Sequence, residues 1–506
     1  MKMDFASRRK IYAVFVVLLM VLLAKLAFSL HETKTLRLDH EFWMSTNTGS
    51  ADLGTLGNPF ICATAGEFDR TMSNLPPDCT VHILAGTYQT LGSGLHPAYE
   101  LKSGQKILGS GMDVTIIQLV TNAPSGNSVM GSVGRALGIE VSDLTLDCHY
   151  IPGVSRNVTY IGLDLNGSRL VARRVKVINL AYLDTSVNSE AWGIGFNSIY
   201  AGPFNSDGNI IEECEVSNFV AGTACSAIAL NGGCISGIIR DNRVFLQVTN
   251  HSLVAINGAN MHDTLVEGNY INGAAEGFYG DTGGYTNIIL AHNTFKNCIY
   301  AVALLHVPRQ NITFCFNTIT IPTRGGTALW FDSSASYTNI VIAGNDVGFD
   351  GPSAPGSLFL DANNVRGLVV HDNTVDPGLA NVISGCTGVS IYNNYDQEGN
   401  FLTSLNQVVP PNGITRTTVT ATSYKAGYAD EYIGVRYNGT IIYLPSAVGH
   451  AGKEFIIADE TGLSAKEPIL IRTTSPNIIN GDSYVLITNS YGAKTVISDG
   501  TNWFAH

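Results

Sequence analysis

Short apolar runs, each closed by an asparagine, recur through the middle of this chain. The phrase is an apolar run, Asn, one variable residue and another apolar residue. It reads GIIRDNRV at 237–244, TLVEGNYI at 264–271, IILAHNTF at 288–295 and ITFCFNTI at 312–319. It continues as IVIAGNDV at 340–347, LVVHDNTV at 368–375 and VSIYNNYD at 389–396. The asparagines are Asn242, Asn269, Asn293, Asn317, Asn345, Asn373 and Asn394, spaced 21 to 28 residues apart. That period is the signature of a solenoid. From 106 to 400 no helical period persists, and Gly and Asn punctuate β-branched runs, as many short strands require. Earlier coils are less regular. LGIEVSDLTLD at 137–147 and LVARRVKVINL at 170–180 keep the rhythm without the Asn, and Cys214 takes its slot in NIIEECEV.

The physics of stacking explains the asparagine. Equivalent residues of successive coils lie one strand spacing apart, ~4.8 Å. A primary amide carries donors and an acceptor, so stacked Asn side chains can bond one another and the turn backbone. Asn also tolerates left-handed backbone, a second reason to find it at a corner.

The flanks differ from the repeat. Phe68, Met72 and Leu75 at helical spacing predict a short helix within Thr64 to Leu75, followed by a strand at VHILAGTY, 81–88. Residues 30–105 read as an N-terminal cap over a first coil that would otherwise expose an apolar end and open strand edges. The β-helix proper is assigned to 106–400, a Pro/Asn/Gly linker to 401–415, and a small alternating-strand β module to 416–506.

The repeated Asn phrases and the strand VHILAGTYQT resemble the pectate lyase-like superfamily. The resemblance covers about 300 residues and implies an all-β, right-handed parallel β-helix. That superfamily holds polysaccharide lyases, glycoside hydrolases, uronate epimerases, phage tailspikes and bacterial surface proteins. The segments YLPSA, GKEFIIADETG and ISDGTNWF resemble C-terminal modules of phage tail fibres and related extracellular proteins. This implies attachment or homo-oligomerisation, a trimer among the options.

Composition narrows the partners. A formal net charge of −12 argues against nucleic acid, which wants a basic surface. Hydrophobic content of 45% excludes global disorder. Lys2, Arg8, Arg9 and Lys10 precede an apolar run from Ile11 to Ala24, with Ala27-Phe28-Ser29 as a small-x-small cleavage site. Residues 1–29 thus read as a signal peptide, the alternative being an N-terminal anchor, and the mature protein is expected to be secreted with no other membrane segment. Secretion would permit disulfides among the nine cysteines, Cys62–Cys79 being the favoured pair. The acidic run Glu212, Glu213 and Glu215 reads as a solvated face.

Candidate chemistry lies on the strand that opens each coil. Counted from the Asn corners, one outward row is Asn166, Asn197, Asn231, Asn257, Asp281, Leu305, Asp332 and Asp361. A second, two residues earlier, is Asp164, Gly195, Ala229, Ala255, Tyr279, Ala303, Trp330 and Phe359. Aromatic faces cover a pyranose while Asn and Asp bond its hydroxyls, so the rows predict a polysaccharide groove. Tyr279 and Trp330 would be platforms, and Asn257, Asn231 and Asn197 would bind hydroxyls. Asp281, Asp332 and Asp361 would supply acid, base or nucleophile, with His306 as a second base. Regular stacking would place Asp332 and Asp361 ~5 Å apart and Asp281 and Asp332 ~10 Å apart. No cofactor is required, though a carboxylate cluster could hold calcium. The plainer alternative is that these residues only end strands in turns, leaving a non-catalytic adhesin or fibre protein. The pectin-hydrolase elements Asp-Asp and Gly-His-Gly and the epimerase Asp-Pro-His are absent, and Arg309 counts as a turn residue.

Overall fold

The corner asparagines close the coils of the solenoid. In the computed structural model all seven are 0–3% exposed. The Asn269 backbone N–H and Nδ2 both donate to Asn293 Oδ1, at 3.0 and 2.9 Å, and Asn293 repeats this toward Asn317 at 3.0 Å each. The same pair of bonds runs from Asn242 through to Asn394. Each Nδ2 also reaches a carbonyl of an adjoining coil, as Asn293 does to Val266 at 2.9 Å. Cys214 tops the ladder, its N–H donating to Asn242 Oδ1.

One part of the rationale for Asn is overturned. The left-handed residue is the one before it: Asp241, Gly268, His292, Phe316, Gly344, Asp372 and Asn393 have φ between 51° and 65°. The corner Asn is therefore selected for its amide and not for left-handed backbone. At Gly344 a Cβ would lie 2.6 Å from the exposed Phe316 ring of the neighbouring corner, so a larger residue there would have to displace that ring.

The structure describes residues 40–48, 52–94, 97–132, 134–151, 158–183, 192–197, 206–221, 225–246, 253–280, 283–322, 325–400, 402, 416–427, 430–437, 439–448, 452–473 and 477–505. The chain is 55% strand and 3% helix, with a parallel solenoid of about 12 turns. Two long sheets wrap one apolar core. The 25-stranded ladder sheet carries the corner asparagines. The 14-stranded groove sheet follows the path Thr159–Ser168, Trp192–Asn197, Cys225–Leu230, Leu253–Gly258, Glu276–Gly280, Tyr300–Leu304, Thr327–Phe331, Leu358–Asn363 and Ala380–Ser384.

At the N-terminal end the predicted helix is present as Ala65–Asn74. Thr64 caps it reciprocally with Glu67, and Phe68 packs on Tyr88 and Tyr99. Strand His40–Ser45 pairs in parallel with Cys79–Ile83, so coil stacking is already under way at the first described residues. Cys62 and Cys79 are both buried but not bonded, and no disulfide joins any of the nine cysteines. Beyond residue 415, a five-stranded and a four-stranded sheet enclose a second core that includes Ile433, Ile442, Phe455, Ile471 and Trp503. Among the described residues no helix is long and apolar enough to cross a membrane. The proposed signal segment lies outside the described residues.

Candidate functional site

Strand pairing fixes which residues share a row of the groove sheet. Leu163, Ile194, Ile228, Ile256, Phe278, Val302, Leu329 and Leu360 are register partners, all buried in the core. One residue on, Asp164, Gly195, Ala229, Asn257, Tyr279, Ala303, Trp330 and Asp361 form the outward row. Asn257 and Asp361 thus stand beside Tyr279 and Trp330, not in the row of Asn231 and Asp332. The sequence count placed them two residues out, because it aligned each strand-end Asn or Asp. The structure aligns Ile256 with Ile228, and Gly258 takes the place of Leu230.

A second departure has a local cause. Ala255 and Ile256 both face the core, as do Ala301 and Val302, Ala328 and Leu329, and Phe359 and Leu360. A Cβ on Gly277 would strike the core ring of Phe295 at 2.5 Å, so Gly277 and Phe278 follow suit. Two successive inward residues interrupt strict alternation. Ala255 and Phe359, expected to point outward, are core residues with no exposure. The residue before each pair turns outward instead, which gives a further row of Ser226, Val254, Glu276, Tyr300, Thr327 and Leu358.

This row supplies one ring of the groove's aromatic pair, Tyr300, whose partner Trp330 stands in the row of Tyr279 and Asp361. Tyr300 stacks on Trp330 with centroids 4.7 Å apart and planes 29° apart. Glu276 is the direct strand neighbour of Tyr300. Both rings and the carboxylate are half-buried, and burial pushes the Glu276 carboxyl up to about 7. Sequence reasoning missed Glu276 and Tyr300 because it began these strands two residues late. A lone carboxylate inside the apolar run AAEGFYG was the available signal.

The remaining predicted residues divide. Asp332 closes a turn: it accepts from Ser334 N at 3.0 Å, from Ser334 Oγ at 2.8 and 2.9 Å, and from the Tyr337 hydroxyl at 3.4 Å. Exposed His306 faces it, with Nδ1 3.2 Å from Ser334 Oγ and 3.4 Å from Asp332 Oδ2. Continuing the register from Phe331↔Ala362, Asp332 lies opposite Asn363. Asn363 Nδ2 donates to Asp361 Oδ1 at 3.0 Å. Asp332 and Asp361 are therefore one strand and two residues apart, a diagonal of ~8 Å in place of the expected ~5 Å. Asn231 is buried; Asn197 pairs with Asn166 in the backbone. The Asn197 side chain and Asp281 lie outside the described residues. Among the described residues no three His, Cys, Asp or Glu side chains converge on a metal site.

Two charged residues were misplaced by the sequence. Arg309 is no turn residue: it opens strand Arg309–Cys315, is 2% exposed, and its guanidinium lies 4.5 Å over the Tyr285 ring. It donates to the Leu305 carbonyl at 2.6 Å, and burial pulls its proton affinity below the ordinary arginine range. Glu212 is not solvated but buried, between Arg173 and Arg240 at 2.5 Å each. Burial raises its proton affinity, and the two guanidiniums outweigh burial and hold it below the usual carboxylate range.

With the register and the groove established, comparison becomes informative. The chain has a parallel β-helix fold. A tailspike protein of E. coli bacteriophage HK620, solved in complex with a pentasaccharide, shares 13% identity over 82% of this chain and 78% of that chain, at a TM-score of 0.51. PfbA, a surface adhesin of Streptococcus pneumoniae, shares 12% over 67% and 89%, at 0.45. A Family 28 exopolygalacturonase of Yersinia enterocolitica shares 11% over 65% and 75%, at 0.42. At these identities the likeness is one of fold. No protein-family model and no curated protein matches the sequence.

Proposed function

We propose that this is a secreted, carbohydrate-active β-helix protein that grips a polysaccharide along the groove sheet and hydrolyses it. One observation carries the reading: Tyr279, Trp330, Asp361 and Asn257 share a single outward row, with Tyr300 stacked on Trp330 beside it. Aromatic surface flanked by amide and carboxylate groups suits a pyranose chain, whose ring faces are apolar and whose rim is hydroxylated. The basic stretch and apolar run of residues 2–24 support secretion.

For hydrolysis the pair is Asp332 and Asp361. Their backbone positions lie ~8 Å apart on the diagonal, a spacing from which two carboxyl groups can reach the roughly 6.5–9.5 Å separation of inverting glycosidases, with a water between them. Asp332, which accepts several hydrogen bonds and lies beside His306, suits the base. Asp361, half-buried next to Trp330, stands opposite it across the diagonal. Reducing-end release across a polysaccharide panel tests this. Asp332→Asn with Asp361→Asn should cut turnover at least ~100-fold while leaving binding in place. Undiminished turnover in that double variant would remove both residues from the mechanism.

A second reading, a non-catalytic glycan-binding adhesin, is favoured by the hydrogen bonds that tie Asp332 to its own turn. Binding without product release from any polysaccharide would select it.

A further inference from the structure

The nine groove-sheet strands from Thr159 to Ser384 contain no lysine and no arginine. The ladder sheet, on the same coils, carries Arg173, Arg174, Lys176, Arg240, Arg243, Lys296, Arg309 and Arg366 on its strands. The segregation is complete among the described strands, although both sheets come from every coil. The charged side chains on these described strands are all carboxylates, Asp164, Glu276 and Asp361, with Asp332 and the exposed His306 at their rim. The guanidinium of Arg309 is turned into the core against Tyr285 and Tyr337.

Recognition of a polyanion needs cations, or a metal ion, at the groove. A polyuronate laid over Glu276, Tyr300, Trp330 and Asp361 would instead set its carboxylates against two fixed carboxylates. Like charges in a partly desolvated site cost more than in water, and that cost selects between glycans of the same shape. Aromatic stacking and hydrogen bonds to hydroxyls carry no such cost for an uncharged sugar.

We infer that the Glu276–Tyr300–Trp330–Asp361 strip is a subsite for an uncharged glycan, built of neutral hexoses or N-acetylhexosamines, and that it rejects polyuronates. This rests on the glycan-binding reading above. The two are separable by experiment.

Calorimetric titration at pH 8 would compare the intact protein with neutral glucan, galactan, mannan and N-acetylhexosamine oligosaccharides, and with oligogalacturonate. At least one neutral chain should bind at least ~10-fold more tightly than oligogalacturonate, and Trp330→Ala should weaken that binding by about 10-fold, the usual size for one stacked platform. Asp361→Lys and, separately, Glu276→Lys should raise oligogalacturonate affinity by roughly 10-fold at low salt, an effect lost at high salt. A circular dichroism spectrum matching the wild type establishes that each variant is folded. Two different substitutions guard against one failing to fold. Oligogalacturonate binding as tight as any neutral chain overturns the selectivity and leaves glycan binding standing. Unchanged oligogalacturonate affinity in both folded lysine variants overturns the role of the carboxylates. No binding of any glycan, neutral or acidic, overturns the underlying reading along with this one.

Discussion

The ladder sheet and the groove sheet are made by the same coils, yet they follow opposite rules. On the ladder edge one residue type repeats seven times, and each copy bonds the next. On the groove face the row runs Asp, Gly, Ala, Asn, Tyr, Ala, Trp, Asp, with no two neighbours alike. Where the partner of a residue is its own copy one coil away, identity is self-complementary and is favoured. Where the partner is something else, each coil presents a different group. Monotony is therefore the mark of the face that meets itself, and variation that of a face released from self-pairing, which is where the proposed glycan groove lies.

Breaking a buried rung should have the largest effect on stability. Asn293→Ala removes the acceptor of two Asn269 donors and the donor to Val266, leaving several buried polar groups unpaired. The expected cost is about 4 kcal/mol, from unsatisfied groups at roughly 1–3 kcal/mol each. Urea unfolding measures it. A loss under 1 kcal/mol would mean that the ladder is a consequence of the fold and contributes little to holding it.

The groove predicts a smaller effect with a distinctive pH dependence. Glu276 has a folded-state value of about 7 against an ordinary 4.5. Between those values the native chain holds a proton that the unfolded chain has released. Stability should therefore fall as pH rises from about 4.5 to 7 and level off above, by roughly 2–3 kcal/mol in all. Glu276→Gln should abolish that component, so the variant gains on the wild type at pH 8 but not at pH 4. Parallel pH slopes for the two proteins would show the carboxylate to be better solvated than its position implies.

The smallest effect sharpens the comparison within the ladder sheet itself. A second asparagine ladder runs on its exposed surface, from Asn339 to Asn311 to Asn287 to Asp263, with bonds of 3.0, 2.9 and 2.7 Å. All four residues have φ between 49° and 58°. Water can replace these bonds, so Asn311→Ala should cost no more than about 1 kcal/mol, much of it backbone strain. Asn311→Gly should recover part of that loss, since glycine accepts the left-handed backbone. Equal costs for Asn293→Ala and Asn311→Ala would remove burial as the distinction between the two ladders.

Much of the fold was legible because its cause is local and periodic. A coil of about 24 residues must place an amide where the next coil needs one, so the Asn phrase appears in any window of sequence that spans two coils. The helix at Ala65–Asn74 was legible for the same kind of reason, its apolar spacing and its Thr64–Glu67 cap lying within a few residues. The groove was legible only in part. Tyr279, Trp330 and Asp361 were identified as outward residues, but Asn257 and Asp361 were put in the wrong row, and Glu276 and Tyr300 were missed. Those errors have two origins: the count aligned strand-end Asn and Asp residues where the structure aligns core residues such as Ile228 and Ile256, and it began the strands of Glu276 and Tyr300 two residues late.

What the sequence by itself determined is the repeat, and with it the parallel β-helix, because each rung interacts with its own copy and so leaves a period behind. What only the tertiary structure decided is which side chains meet across the groove. That depends on the register of non-repeating strands and on how loops of unequal length return the chain to the sheet. It also decided that Arg309, read as a turn residue, and Glu212, read as part of a solvated face, lie buried against aromatic rings and guanidiniums. Burial of a charge is settled by distant residues folding over it, and no local pattern records that event.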